Sequence, residues 1–283
     1  MGLAKAGGAD FARFAMIGRH ELGIPRPALE KFFRERGRPD LPGEIASDPG
    51  DGYCESLLGR AFGSQVINSI DYSEYENASI IHDMNTPITG NEKYGVVADF
   101  GTLEHIFNAP VALDNLVRLC APQGRILHIS PCNNFVGHGF YQFSPELFFQ
   151  LYSKVRGFAD TRIFLTPALP METWYEVASP SELKSRVNVT SRDQILILVM
   201  TTMTGTPPSL LAHPVQQSDY MNKWDNQSAT RNLRETGLKS FVKRVRRAFP
   251  SIVHRHKVRR KDVARRSRKD IRRVNVLSLA PNF

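Results

Sequence analysis

Residues Tyr94 to Leu147 read YGVVADFGTLEHIFNAPVALDNLVRLCAPQGRILHISPCNNFVGHGFYQFSPEL. The short apolar run Val96-Val97-Ala98, bounded by Asp99, fits a strand buried on both faces of a parallel sheet. Polar residues and a glycine follow at once, from Asp99 through Gly101 to Glu104 and His105. A helical pattern comes next, with Val111, Leu113, Leu116, Val117 and Cys120 on its apolar side and Pro122 and Gly124 as its stop. A second buried strand, Ile126 to Ile129, again ends in polar and turn residues. The pattern is a β-α-β unit, and in open α/β sheets ligands bind at the carboxyl ends of such strands.

A strand ending in Asp99, then Leu103-Glu104-His105, a helix, Ala121-Pro122-Gln123-Gly124 and a further strand resembles the second half of a class I S-adenosylmethionine-dependent methyltransferase. Gln123 stands where that family's turn usually has glycine. The run from Pro131-Cys132-Asn133-Asn134 to Ser144-Pro145 is similar to a bacterial subgroup of the superfamily, of the type 11/12 kind. The resemblance spans roughly residues 11–205. It implies a Rossmann-like, mostly parallel α/β sheet with an antiparallel last strand.

Upstream, residues 11–19 read as the first strand, closing on Gly18. The resemblance implies a glycine-rich turn there that lets the backbone approach the cofactor. The turn present, Gly18-Arg19-His20-Glu21-Leu22-Gly23, lacks the family's usual glycine spacing. Arg19 or His20 is expected to fill the space or to contact the cofactor's methionine carboxylate; an ordinary strand-to-helix turn is the alternative. Residues 27–36 read as an amphipathic helix, Arg38 to Gly52 as a long loop, and 53–62 as another helix. Val66 to Ile70 is the second strand. In the family an acidic residue at its end, here Asp71, accepts hydrogen bonds from the ribose hydroxyls, a task suited to an acceptor-only group. A third strand, Ala78 to Ile81, ends near Asp83, which the resemblance places at the adenine amine. Both Asp71 and Asp83 also suit plain turn or cap positions. The cofactor site implied by the resemblance comprises Gly18, Arg19, Asp71, Tyr72, Asp83, Met84, Asp99 and Gly101.

Downstream, Ser144-Pro145-Glu146 opens a helix, serine being a good N-cap and proline favoured at the first turn. Ala159 to Leu165 reads as a strand, Pro167 to Arg186 as a loop-rich insertion, and Gln194 to Met203 as the antiparallel last strand. The segment between strand five and this run recognises the acceptor in many relatives of the family. His105, His138 and Glu104 are the candidate catalytic groups. Histidine titrates near neutral pH, and the glycines flanking His138 allow close approach to a ligand. Phe140, Tyr141 and Phe143 read equally as an acceptor wall or as core. His105 could instead hold its loop through a backbone carbonyl, and Glu104 could be a helix-entry carboxylate. No HxxxH or similar spacing is present, so no metal is expected.

Composition divides the chain. Residues 231–273 hold 18 Lys and Arg against 3 Asp and Glu, net +15, while the remainder is net −6. The expected organisation is a methyltransferase-like domain over 1–205, a Thr/Pro/Ser/Gln/Asn-rich linker over 206–235, and a basic amphipathic tail over 236–283 that is helical or disordered. Leu238, Phe241, Val242, Val245 and Phe249 recur at helical spacing among Lys and Arg. Residues 238–273 therefore suit an anionic membrane surface. Nucleic acid is the less favoured partner, because no aromatic-and-basic interleaving accompanies the charge. No run of 18 apolar residues and no signal-peptide core is present. The three cysteines lack paired spacing, and a reduced, cytoplasmic setting is expected, with peripheral membrane contact through the tail.

Three functions follow as expectations. The first is a methyltransferase using S-adenosyl-L-methionine on a small-molecule or glycan acceptor, the glycan resting on the resemblance alone. The second is a methyltransferase-fold binding protein that has lost the cofactor through its altered first turn. The third is an RNA methyltransferase guided by the basic tail.

Overall fold

The structure is a computed structural model and describes residues 1–47, 52–169, 171, 173–183, 187, 189, 191–218, 220–221 and 271–274. Within them, the strands are β1 (Arg13–Ile17), β2 (Val66–Asp71), β3 (Ile80–Ile81), β4 (Tyr94–Phe100), β5 (Cys120–Asn133), β6 (Phe158–Pro167), β7 (Trp174–Val177), β8 (Ile195–Met203) and β9 (Ile271–Val274). The helices are α1 (Gly2–Ala6), α2 (Arg26–Arg34), α3 (Leu41–Ser47), α4 (Glu55–Leu57), α5 (Ala109–Leu119), α6 (Pro145–Leu151) and α7 (Pro180–Leu183). One sheet contains all these strands in the order β3-β2-β1-β4-β5-β8-β6-β7-β9. The first five in that order run parallel. β8 inserts antiparallel between β5 and β6, and β7 and β9 extend the edge antiparallel.

Alternation along the central strands builds a core on each face. Ala15 and Ile17 of β1, with Val97 of β4, join Leu113, Leu116 and Phe148 under α5 and α6. Phe14 and Met16, with Val96 and Ala98, join Leu29, Phe33, Leu41 and Leu58 under α2, α3 and the turn after α4. Burying each of the larger of these side chains contributes about 1.5–3 kcal/mol, and a strand buried on both sides therefore reads as a continuous apolar run. β1 lies between β2 and β4, with chain connections leaving it in opposite directions. The carboxyl ends of β1 and β4 therefore flank the crevice where such sheets bind ligands.

Several elements depart from the sequence expectation. The loop expected over 38–52 contains α3, whose Leu41 and Ile45 are buried one helical turn apart. Pro42-Gly43 masks that period, yet proline is tolerated in a first turn. The helix expected over 53–62 is the short α4 followed by a π-helical turn, Leu58–Phe62. The Ala121-Pro122-Gln123-Gly124 turn lies inside β5 as a bulge: pairing with β4 jumps from Tyr94–Cys120 to Val96–Arg125. Gln123 takes φ 63° there, a left-handed conformation that explains why glycine is usual at this place.

The insertion read as loop over 167–186 contains β7, held on one side by β6 and on the other by β9. A four-residue strand whose partner lies about a hundred positions away leaves little trace in local sequence. Glu176 of β7 joins the two sides, accepting from Arg162 Nε at 2.7 Å and pairing with Arg272. Part of the segment read as linker packs on the domain: Leu210 is buried, and its N–H donates to Asp114 Oδ1 at 2.7 Å. Ser218 N–H donates to Glu146 Oε1 at 2.7 Å. Residues 222–270 and 275–283, including the amphipathic run 238–249, lie outside the described residues. No helix among the described residues is long and apolar enough to cross a membrane.

Candidate active site

Asp99, the last residue but one of β4, is wholly buried, and its carboxylate builds the turn that follows. Oδ1 accepts the N–H groups of Thr102 and Leu103, both at 3.0 Å. Oδ2 lies 3.1 Å from Nδ1 of His128 on β5, and Nε2 of that imidazole is 2.7 Å from the Tyr152 hydroxyl. Asp99 was expected at the cofactor; both of its oxygens instead face the protein. Sequence reasoning missed His128 and Tyr152. The available signal was a histidine inside an apolar strand, which burial obliges to find partners.

The turn so fixed is a 3₁₀ helix, Leu103–His105. Leu103 enters the core, Glu104 is buried, and His105 is exposed. The loop after β5 then folds back on it: Phe140 N–H donates to Glu104 O at 2.7 Å, and Tyr141 N–H reaches the same oxygen at 3.3 Å. Gly139 is the point of closest approach, since a Cβ there would sit 2.8 Å from Glu104 O. His138 is thereby brought over the turn, its ring centroid 5.0 Å from that of His105. Its Nε2 lies 3.6 Å from Glu104 Oε1, beyond hydrogen-bond length. Glu104 Oε2 is buried with no hydrogen-bond partner among the described residues. Burial pushes the Glu104 carboxyl up to about 7, with the nearby Asp99 charge adding to the rise. Burial, and then the neighbouring His138, lower the His105 pKa. The three groups nominated from sequence thus meet. Of the aromatics, Phe140 is exposed and meets Phe107 edge-on at 6.1 Å, whereas Phe143 is buried in the core.

At the end of β1, Gly18 packs against Thr102: a Cβ there would collide with Thr102 Oγ1. That hydroxyl donates to Ile17 O at 2.8 Å, tying the β1 and β4 ends together. Arg19 turns toward β2, its Nε 2.7 Å from Glu55 Oε1 and its Nη1 2.7 Å from Glu76 O, with the guanidinium over the Tyr53 ring. His20 lies against Phe100, and burial lowers its pKa. His20 Nε2 and Glu55 Oε2 are both buried without a hydrogen-bond partner among the described residues. Nothing in the sequence marked Glu55, since its pairing with Arg19 spans 36 residues.

Asp71 ends β2 half-buried, its Oδ1 accepting Tyr72 N–H at 2.6 Å, while the Tyr72 ring is exposed. Gly101 sits in the turn between Asp99 and Glu104 at φ 105°. Asp83 serves a turn: its Oδ1 accepts from Asn85 N and Nδ2 at 2.9 and 2.8 Å, bonds that hold its pKa below the ordinary range. Met84, expected at the cofactor, is buried in the core beside Asn115. Near the carboxyl ends of β1 and β2 stand Asp71 and two orphaned buried atoms, His20 Nε2 and Glu55 Oε2. This donor and acceptor set fits the ribose hydroxyls and the charged amino-acid end of S-adenosylmethionine. Asp83 and Met84, expected at the adenine, are taken up by the Asn85 turn and by the core.

Beyond β5, a cavity of about 440 Å³ is lined by Cys132, Ser144, Glu146, Thr166, Tyr175 and Ile195 among others. None of Glu104, His105, His138 and Asp71 lines it.

A parallel β3-β2-β1-β4-β5 block with β8 antiparallel beside it is the sheet the sequence resemblance implies. The fold is of the class I methyltransferase type. No protein-family model matches the chain, and no curated protein matches it. Solved structures with a similar course include a SAM-dependent methyltransferase from Thermotoga maritima, 13% identical over 68% of this chain and 82% of that one, TM-score 0.36. They also include the N-methyltransferase NodS from Bradyrhizobium japonicum with S-adenosyl-L-homocysteine, 13% identical over 72% and 83%, TM-score 0.36. TehB from Haemophilus influenzae is a third, 13% identical over 72% and 61%, TM-score 0.37. At such identities and scores these are likenesses of chain course, and they decide nothing about cofactor, acceptor or subgroup within this methyltransferase-type fold.

Proposed function

We propose that the chain is an S-adenosylmethionine-dependent methyltransferase acting on a small-molecule or carbohydrate acceptor. The observation that carries this reading is the meeting of Glu104, His105 and His138 at the carboxyl end of β4, beside the crevice between β1 and β4. When bound, the cofactor supplies an electrophilic methyl group on a sulfonium sulfur. Asp71 would hold the ribose hydroxyls, and His20 and Glu55 would meet the polar amino-acid end. Glu104, His105 and His138 are placed to orient the acceptor's nucleophile and to assist the loss of its proton. Orientation of this kind accounts for much of the rate in such transfers. The cavity beyond β5 lies in the segment expected to recognise the acceptor, and its mainly apolar lining suits the acceptor's non-reacting part.

Calorimetric titration of the full chain with S-adenosylmethionine and S-adenosylhomocysteine tests the reading. Saturable binding weakened about tenfold or more by Asp71→Ala supports it, that being the usual scale of a lost hydrogen bond to a charged group. Absence of binding by well-folded protein overturns it.

The basic segment 238–273 lies almost wholly outside the described residues. Its charge and helical apolar spacing favour an anionic membrane surface as a partner, which would place the enzyme peripherally. Vesicle co-sedimentation with and without anionic lipid tests that part.

A further inference from the structure

The Glu104–His105–His138 cluster has a property that proton chemistry does not require. One ligand atom from each residue can be chosen so that all three lie within 4.8 Å of one another. Two imidazoles face outward, and one carboxylate lies beneath them with only 2% of its side chain exposed. That carboxylate makes no hydrogen bond to His138, which lies at 3.6 Å, and its second oxygen has no partner among the described residues. A buried polar oxygen left unpaired costs about 1–3 kcal/mol, and buried carboxylates are ordinarily paired or bound to metal.

We infer that Glu104, His105 and His138 form a binding site for a divalent transition-metal ion. Two nitrogen ligands and one oxygen ligand, with remaining positions open toward solvent, match the two-histidine, one-carboxylate arrangement. Imidazole ligands favour zinc, iron, nickel or copper over the magnesium, calcium and manganese that all-oxygen sites select. Ligand distances near 2.0–2.2 Å require the three atoms to draw together by a modest amount. His138 stands on an exposed glycine-flanked loop and can supply that movement. The ligands come from two segments, the β4 end and the loop after β5, so no spacing along the chain announces the site. The inference rests on the proposed function in one respect only, the role of the open positions: there they would take a hydroxyl oxygen of the acceptor. An ion so placed lowers the pKa of a bound hydroxyl, whose proton then passes to solvent.

The test is calorimetry of the full chain with Zn²⁺, supported by visible absorption of the Co²⁺ form. The expected result is one ion per chain at this site, with affinity lowered at least tenfold by His138→Ala and again by His105→Ala. His254→Ala/His256→Ala in the basic tail should leave it unchanged. Binding that survives His105→Ala/His138→Ala but is lost on changing His254 and His256 overturns the inference, as does absence of binding with Zn²⁺, Co²⁺ and Ni²⁺ alike. Cofactor titration of the same samples separates the two readings. Cofactor binding without metal binding sinks the metal site alone, and metal binding without cofactor binding sinks only the methyltransferase reading.

Discussion

Asp99 Oδ2 lies 3.1 Å from His128 Nδ1 with both side chains wholly buried, and this contact joins the floor of the candidate site to the centre of the sheet. The other oxygen of the same carboxylate holds the first two N–H groups at the entry to the turn that carries Glu104 and His105. Asp99→Ala removes all of these acceptors and leaves His128 half-paired in the interior. The expected loss is about 1–3 kcal/mol for each buried group left without its partner, read as a fall in the denaturant midpoint. Tyr152→Phe, which removes only the hydroxyl partner of His128 Nε2, should cost about 1–3 kcal/mol.

Gly139 and Gly137 flank His138 at φ 69° and 83°, and they differ in what surrounds them. A Cβ at Gly137 meets nothing within 4 Å, whereas one at Gly139 meets the backbone of Glu104. Gly137→Ala should therefore carry only the left-handed conformational cost, about 1–2 kcal/mol. Gly139→Ala should cost more, because the loop must also lift off Glu104 O. Denaturation curves of the two variants give the comparison. Equal losses would mean that the approach to Glu104 is not tight.

Glu176 lies between Arg162 and Arg272 and ties β9 to β7. Burial alone would raise its pKa, but the hydrogen bonds and charges of the two arginines outweigh this and hold it below the ordinary glutamate range. A depressed carboxyl stabilises above its unfolded pKa, and that contribution is lost as pH falls through the folded value. Glu176→Gln should thus lower stability at neutral pH by on the order of 1 kcal/mol or less, solvent screening being appreciable at this edge. The difference from the unaltered chain should shrink as pH falls below the ordinary glutamate value of about 4.3 and vanish once pH passes the lowered folded value. Paired urea titrations at several pH values read it.

The thiols of Cys54, Cys120 and Cys132 are pushed up to about 11, 12 and 11, in each case chiefly by burial. The thiolate is the reactive form. Iodoacetamide at pH 8 should therefore label the folded chain slowly at all three positions and rapidly after denaturation. Cys120, wholly buried, should be the slowest. Fast modification of Cys132 in folded protein would show that the cavity it lines opens in solution.

The sequence by itself determined the strands β1 to β5 and β8 and the helix α5, because each is written in a local period, while the antiparallel direction of β8 was implied by the family resemblance. Val96-Val97-Ala98 announces a strand buried on both faces, and the helical spacing from Val111 to Leu116 announces α5. Local signals also nominated Glu104, His105 and His138. Only the tertiary structure decided that these three meet, because that depends on Phe140 N–H reaching Glu104 O, a contact between chain segments far apart in sequence. It also decided that Asp99 and Met84 face inward and that Arg19 pairs with Glu55. The same holds for residues 271–274, which form the edge strand β9. Local sequence records the period and conformational preference of a segment. Which distant segment satisfies a buried polar group is set by strand register and loop return, which exist only once the sheet is assembled.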